Sequence, residues 1–153
     1  MSRGPQPAVL AWLLDADPAI RWQVLRDVAG APAGEVGTER DRVATSGWGA
    51  QLLALQAPDG QWDGGTYWPG HDDGTAGQPW TATTYTLLLL RDFGLHPDSP
   101  QARRAVSLVR DNCRWEEGGQ PFFDGEVEAC VNGMTVALGA YFGQDVDVIV
   151  KRL

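Results

Sequence analysis

The sequence contains two similar blocks separated by about 50 positions, a period within the range of helical repeats. Residues 80–89 align with residues 130–139. Each block follows a glycine-rich stretch and ends close to a glycine that stands near an aromatic residue. Helix pairs repeat in this way because each pair buries its apolar face against the next. The repeat therefore predicts an all-α fold of antiparallel helical hairpins, about three of them in this chain.

Glycine and proline interrupt segments whose apolar spacing is helical. The chain has 19 glycines and 10 prolines, and these residues mark turns between short elements. Asp17 followed by Pro18 is a helix start, because aspartate caps free N–H groups and proline lacks one. Glycine-rich loops are predicted over 58–77 and 116–125. Helices are predicted to begin near residues 8, 18, 35, 47, 78, 100, 126 and 145.

Charge and composition exclude several classes of function. Twenty acidic and 12 basic residues give a net charge of −8, which excludes a nucleic-acid partner because phosphates bind clustered positive charge. No stretch is apolar over the about 18 residues of a membrane-spanning helix. Two cysteines form no disulfide framework, which favours the reducing cytoplasm. Every basic residue except Lys151 is arginine, as is typical of a GC-rich bacterial genome.

Residues 56–62 read Gln-Ala-Pro-Asp-Gly-Gln-Trp, and Gly-Trp stands before them at 47–48. The longer stretch is similar to the tail, and Gly-Trp to the head, of the QW motif, the sequence repeat of triterpene cyclases. Gln-Pro-Trp-Thr-Ala-Thr follows at 78–83, and a degenerate copy stands at 118–122. Over about residues 47–153, the arrangement resembles the α/α toroid shared by squalene–hopene cyclases and protein prenyltransferase β subunits.

The resemblance implies that six hairpins close a ring around a cavity. At about 50 residues for each hairpin, closure needs about 300 residues, twice the present length. Residues 1–153 are therefore expected to form a single helical-repeat domain, about half of an α/α toroid, that is incomplete at the C-terminus. Either a second copy completes the ring as a homodimer, or a C-terminal half is missing. Within the motif, Gln56 is expected to hold the N-terminus of a neighbouring helix, and Trp62 to pack at the joint between hairpins.

The resemblance also implies a metal site. Prenyltransferase β subunits bind zinc through an Asp-x-Cys pair on an inner helix and through a later histidine. Here Glu128 stands for the aspartate and Cys130 for the cysteine, and His71 is the candidate third ligand if its loop folds inward. Zinc accepts these ligand types and keeps a bound thiol deprotonated. The alternative is that Cys130 is a small buried core residue on a helix whose dipole favours the preceding acids.

Asp72 and Asp73 resemble the acidic clusters that hold a diphosphate through metal ions in terpene enzymes. The alternative is a solvated acidic loop. Class II cyclases protonate an alkene through an Asp-x-Asp-Asp signature, which the chain lacks. Cyclisation by protonation is therefore not expected, the catalytic residues stay unassigned, and it is left open whether the chain is an enzyme.

Aromatic residues in the glycine-rich loops and the helix starts beside them are candidates for ligand binding. Rings suit an isoprenoid or a developing carbocation through apolar contact and cation–π attraction. The alternative is that the rings pack the joints between hairpins, which is the role expected for Trp62. The candidates are Trp68, Trp80, Tyr85, Trp115, Phe122 and Phe123.

The sequence thus predicts a prenyltransferase- or terpene cyclase-like half-toroid that binds a hydrophobic, isoprenoid-type small molecule. The isolated chain is expected to be catalytically inactive, because half of the cavity wall and a complete zinc ligand set are missing. The alternative is a helical-repeat scaffold or protein-interaction module without catalysis. Asp-Pro-Ala-Ile-Arg-Trp at 17–22 resembles the start of a HEAT-type helix, and such arrays bind partners along an extended surface.

Overall fold

The computed structural model describes residues 6–70 and 78–153. These residues form eight α-helices, and the only β-structure in the described ranges is two isolated bridges. The all-α prediction is therefore confirmed. The helices are α1 (Pro7–Leu14), α2 (Pro18–Val24), α3 (Ala33–Asp41), α4 (Gly47–Ala54), α5 (Thr83–Phe93), α6 (Pro100–Asn112), α7 (Ala129–Tyr141) and α8 (Asp147–Val150).

Helix α2 begins where the sequence predicts and continues into a π-helical turn. Asp17 Oδ1 accepts a hydrogen bond of 2.9 Å from the Ala19 N–H, which caps the helix. After Val24 the backbone winds into a single π-helical turn over Leu25–Ala29. Because this wider turn shifts the register of the apolar positions, Val24 is buried whereas Val28 is exposed.

Helix α5 begins at Thr83, later than the predicted start near Gln78. Residues 79–81 form a 3₁₀ turn, and Ala82 is extended, with φ −69° and ψ 166°. The N–H groups of Thr83 and Thr84 bond to carbonyls of the preceding loop and not to the turn before them. This contact with the loop sets the first residue of the helix.

Helix α7 also starts later than predicted, at Ala129 instead of Glu126. The Asn132 side chain accepts from the Glu126 N–H at 2.7 Å and donates to the Glu126 carbonyl at 2.9 Å. Gly125, just before, has a φ of +83°, a conformation that favours glycine. The chain enters α7 only after this fixed turn.

Two helix–loop–helix units share the main core. The first unit, residues 47–93, contains α4 and α5, and the second unit, residues 100–141, contains α6 and α7. Helix α5 packs against α4 and α7, and α6 packs on the 3₁₀ turn that precedes α7. The aligned sequence blocks therefore fall in neighbouring parts of the fold. Both units contribute to one cluster of buried side chains, among them Trp62, Leu87, Leu90, Val109, Trp115, Phe122 and Leu138.

Trp22 fixes the N-terminal helices to the end of the first unit. Its indole N–H donates to the Phe93 carbonyl at 2.8 Å. The ring occupies the space where a side chain at Gly94 would stand, and Gly94 has a φ of +90°. The guanidinium groups of Arg26 and Arg40 lie 4.5 and 5.2 Å from the ring centre, which adds cation–π attraction.

Candidate functional site

The loops of the two units meet at a cleft of about 220 Å³. Its walls combine aromatic rings with carboxylates, and none of its described lining residues is basic. Small molecules bind in concave sites that join apolar walls to a few convergent polar groups, so this cleft is the candidate site. The lining residues are Tyr67, Trp68, Trp115, Glu116, Glu117, Glu126, Glu128 and Val131.

The wall from the first unit is part of a tightly folded loop. The Gly70 N–H donates to the Asp63 carbonyl at 2.8 Å, so the loop closes on itself. A side chain at Gly65 would overlap the Trp68 carbonyl, and this close approach requires glycine. The backbone that carries Tyr67 and Trp68 is thus compact.

Two threonines at the start of α5 anchor that loop. Thr83 donates from its N–H and its hydroxyl to the Gly65 carbonyl at 3.1 and 2.7 Å. Thr84 donates in the same way to the Thr66 carbonyl at 3.0 and 2.9 Å. Both threonines are fully buried. The N–H groups that a helix start leaves free therefore serve to hold the loop.

The wall from the second unit is held by stacked rings. The Trp115 and Phe122 rings are nearly parallel with centres 5.0 Å apart, and the Trp115 indole N–H donates to the Phe122 carbonyl at 2.9 Å. Phe123 meets Phe122 edge-on at 4.9 Å. All three rings are buried, and of the three only Trp115 lines the cleft. Phe122 and Phe123 therefore lie in the core and outside the described wall of the cleft.

A carboxylate of the second loop holds the first loop. Glu116 Oε1 accepts hydrogen bonds from three consecutive N–H groups, those of Thr66 at 2.8 Å, Tyr67 at 2.8 Å and Trp68 at 3.3 Å. The Thr66 hydroxyl adds a bond of 2.7 Å to the Arg114 carbonyl. We call the three bonds to Oε1 the Glu116 clasp. The clasp joins the two units at the cleft.

A row of rings continues from the cleft along the first unit. Tyr67 and Tyr85 share a hydrogen bond of 2.9 Å between their hydroxyl groups. The Trp68 ring meets Tyr67 edge-on at 5.4 Å, and the Trp80 ring meets Tyr85 edge-on at 5.6 Å. The hydrogen bond to Tyr85, followed by partial burial, raises the pKa of Tyr67 to about 12. The candidates Trp68, Tyr85 and Trp80 are therefore brought together, and Tyr67 connects them.

Glu128 and Cys130 lie together at the start of α7. Glu128 immediately precedes the helix, and the Cys130 thiol lies 3.5 Å from Glu128 Oε2. Cys130 is exposed, so the alternative that it is a buried core residue is wrong. The buried thiol is that of Cys113, and burial raises its pKa to about 12.

The third proposed zinc ligand, His71, lies outside the described residues, as do Asp72 and Asp73. Within residues 6–70 and 78–153, no group of three or more histidine, cysteine or acidic side chains is placed to hold a metal ion. Two ligands of one tetrahedral zinc, an oxygen at about 2.0 Å and a sulfur at about 2.3 Å, stand about 3.5 Å apart. The spacing of Glu128 and Cys130 therefore fits two zinc ligands.

The QW-like segment packs the two units together. Trp62 is buried, and its indole N–H donates to the Leu52 carbonyl at 2.7 Å. Gln56 donates to the carbonyls of Gly60 and Ala105, both at 3.0 Å. Ala105 lies inside α6 and not at its start, so the expectation that Gln56 holds a helix N-terminus is wrong. The amide instead binds a carbonyl within the neighbouring helix. Trp62 is buried in the core to which both units contribute, and its role at a joint between hairpins stays a prediction.

Sequence reasoning missed much of the cleft. Three of its acids and two other residues were not candidates, although Glu116 and Glu117 directly follow Trp115 and Tyr67 directly precedes Trp68. Their position beside candidate rings was the available signal. The missed residues are Tyr67, Glu116, Glu117, Glu126 and Val131.

No protein-family model, no curated protein and no solved structure matches the chain. Among the described helices, none is long and apolar enough to cross a lipid bilayer. The cleft itself is therefore the basis for a functional proposal.

Proposed function

We propose that the chain is about half of an α/α toroid of the terpenoid cyclase and prenyltransferase type, and that it binds a hydrophobic, isoprenoid-type ligand. The observation that carries the proposal is the aromatic wall of the cleft, to which Tyr67, Trp68 and Trp115 contribute. Ring faces offer a branched hydrocarbon chain a large apolar contact area. The packing of the QW-like segment between the two units supports the repeat architecture.

Exposed rings support a ligand that extends along the first unit. Trp68 is 53% exposed and Trp80 is 62% exposed, and Tyr67 and Tyr85 connect them. Burial of each large apolar side chain contributes about 1.5–3 kcal/mol, and clustered exposed apolar surface marks binding sites. An isoprenoid chain that follows this row would cover both tryptophans.

The charges of the cleft favour a ligand whose polar end is not negatively charged. Four glutamates line the cleft, and no arginine or lysine is among its described lining residues. Carboxylates repel a nearby diphosphate, and low dielectric strengthens the repulsion. We therefore expect the cleft to take an isoprenoid alcohol in preference to its diphosphate.

The isolated chain is proposed to bind its ligand without turnover. Glu128 and Cys130, with His71, would hold a zinc ion that activates a thiol or polarises a substrate group. Closure of the ring by a second copy, or by a C-terminal half, belongs to the same proposal.

Titration calorimetry with a C15 isoprenoid alcohol and with its diphosphate tests the proposal. We expect the alcohol to bind the more tightly, and Trp68→Ala to weaken its binding about tenfold because the buried ring contact is lost. Trp12→Ala is the matched control, since Trp12 is 70% exposed on α1 and does not line the cleft. Absence of alcohol binding, or equal binding by the wild type and Trp68→Ala, would contradict the proposal.

A protein-interaction module is the second candidate, and helix α1 favours it. All eight residues of α1 are apolar and none is buried, with Val9 45% and Trp12 70% exposed. Exposed apolar surface of this kind marks protein contacts. If the chain binds no isoprenoid and Trp12→Ala abolishes self-association in light scattering, the interaction module replaces the ligand-binding proposal.

A further inference from the structure

We infer that Glu116 is a positioning residue that builds the cleft by holding the first loop in place. The Glu116 clasp takes up the N–H groups of Thr66, Tyr67 and Trp68. Tyr67, Trp68 and Glu116 all line the cleft. Glu116 belongs to the wall from the second unit, and its carboxylate therefore holds the wall from the first unit. The binding test of this inference rests on the proposed function, whereas the hydrogen-exchange test does not.

Three consecutive N–H groups that point at one oxygen form an anion-binding nest. Within the described residues, Glu116 Oε1 is the hydrogen-bond acceptor for each of these three groups. A backbone donor that is buried without a partner is costly, and of the three bonds the one from Thr66 is partly buried, while those from Tyr67 and Trp68 lie at the surface. Here the acceptor comes from the other unit, which makes the loop conformation dependent on Glu116.

The clasp contributes to the position of Trp68, whose backbone also packs on Gly65 among the described residues. The Trp68 ring is 53% exposed and meets Tyr67 edge-on. Tyr67 itself has a further anchor, the hydroxyl bond to Tyr85. The backbone bond from the Trp68 N–H to Glu116 at 3.3 Å is thus one constraint on where the indole lies.

The charge of Glu116 matters as well as its oxygen. An ionised carboxylate accepts about twice as strongly as a neutral amide oxygen, so Glu116→Gln keeps the shape of the side chain and weakens the clasp. Glu117→Gln is the charge-matched comparison. Glu117 lines the same cleft, but it makes no hydrogen bond with the described residues.

Amide hydrogen exchange measured by NMR tests the clasp directly. In Glu116→Gln, exchange at Thr66, Tyr67 and Trp68 should accelerate about tenfold, whereas in Glu117→Gln it should change less than about twofold. Urea unfolding of both variants separates this local opening from a loss of global stability. Equal exchange rates at the three amides in the two variants would overturn the inference.

A double variant tests whether Glu116 acts through Trp68. Glu116→Gln should weaken binding of the C15 alcohol about fivefold in the wild-type chain, but less than about twofold in the Trp68→Ala background. Equal losses in both backgrounds would show that Glu116 does not act through the indole. If the wild-type chain binds no isoprenoid, the proposed function fails, and the exchange rates still decide the role of Glu116.

Discussion

The two units bury equivalent tryptophans but bond them in different directions. Trp62 and Trp115 each follow the first helix of their unit, are buried, and donate the indole N–H to a backbone carbonyl. Trp62 bonds back to Leu52 in α4, whereas Trp115 bonds forward to Phe122, ahead of α7. The shared feature is a buried ring at the joint, and the direction of its bond depends on the loop.

The loops themselves differ in what holds them. The first loop is anchored by Thr83 and Thr84 from its own unit and by Glu116 from the second unit. The second loop carries its own support, the stack of Trp115 on Phe122. The second loop is thus supported by a stack of its own rings, while the first uses in addition a carboxylate of its neighbour.

The largest effect is expected from Trp115→Ala, which should lower the free energy of unfolding by about 3–5 kcal/mol. Loss of the ring removes support beside Glu116, so both loops should lose order. Trp62→Ala is the matched change. We expect it to lower the free energy of unfolding by a similar amount but to leave the second loop intact. Urea unfolding gives the energies, and amide spectra of residues 114–121 report on the loop. Equal disturbance of the second loop by Trp62→Ala would contradict its support by its own rings.

The next largest effect is expected from Gly60→Ala. Gly60 and Gly119 both have positive φ, +88° and +69°, but a Cβ at Gly60 would stand 2.6 Å from the Leu108 carbonyl oxygen, and nothing lies within 4 Å of one at Gly119. We expect a loss of about 2–4 kcal/mol for Gly60→Ala and about 1 kcal/mol for Gly119→Ala. If the two variants unfolded at similar urea concentrations, close packing on α6 would not constrain the first loop.

A smaller difference is expected between the glutamines of the two loops. Gln56 makes two bonds to carbonyls, so Gln56→Ala should lower the free energy of unfolding by about 1–2 kcal/mol. Gln120 Oε1 is buried without a hydrogen-bond partner among the described residues, and Gln120→Ala should change the free energy by less than about 0.5 kcal/mol. Thermal unfolding measures both. A larger cost at Gln120 would make the glutamines equivalent and weaken the distinction between the loops.

A pH-dependent effect is expected under alkaline conditions, because a neutral group in each unit has a raised pKa. Tyr67 and Cys113 reach about 12, above their ordinary values of 10.0 and 9.0. Because these groups ionise first in the unfolded chain, their contribution to stability is complete below the ordinary pKa and is lost towards pH 12. Cys113→Ala should flatten the loss of stability above about pH 9, and Tyr67→Phe above about pH 10. Urea unfolding at a series of pH values measures how the free energy of unfolding falls as the pH rises. A variant in which it falls as steeply as in the wild type would contradict the prediction.

Local patterns account for the parts of the fold that the sequence predicted. Glycine and proline punctuation and the Asp17 cap depend on neighbouring residues, so the helices and the start of α2 could be predicted. The starts of α5 and α7 could not, because distant contacts set them. Thr83 bonds to a loop that precedes it by many residues, and Asn132 holds Glu126 outside α7.

The cleft could be predicted only where residue type carries a signal. Trp68 and Trp115 were candidates because rings suit an apolar ligand, and Glu128 because it resembles a zinc ligand of prenyltransferases. All three line the cleft. The role of Glu116 depends on three backbone N–H groups in the other unit. Since nearly every residue carries such a group, no sequence pattern marks the place where a carboxylate will meet them.

The Glu116 clasp joins positions that are about 50 residues apart, and this separation orders the events of folding. Contacts between distant positions form late, because the intervening chain must first be closed at an entropic cost. During synthesis, the first loop leaves the ribosome before the residue that accepts its N–H groups. The mouth of the cleft can therefore be completed only after Glu116 has been synthesised and its loop has folded against the first one.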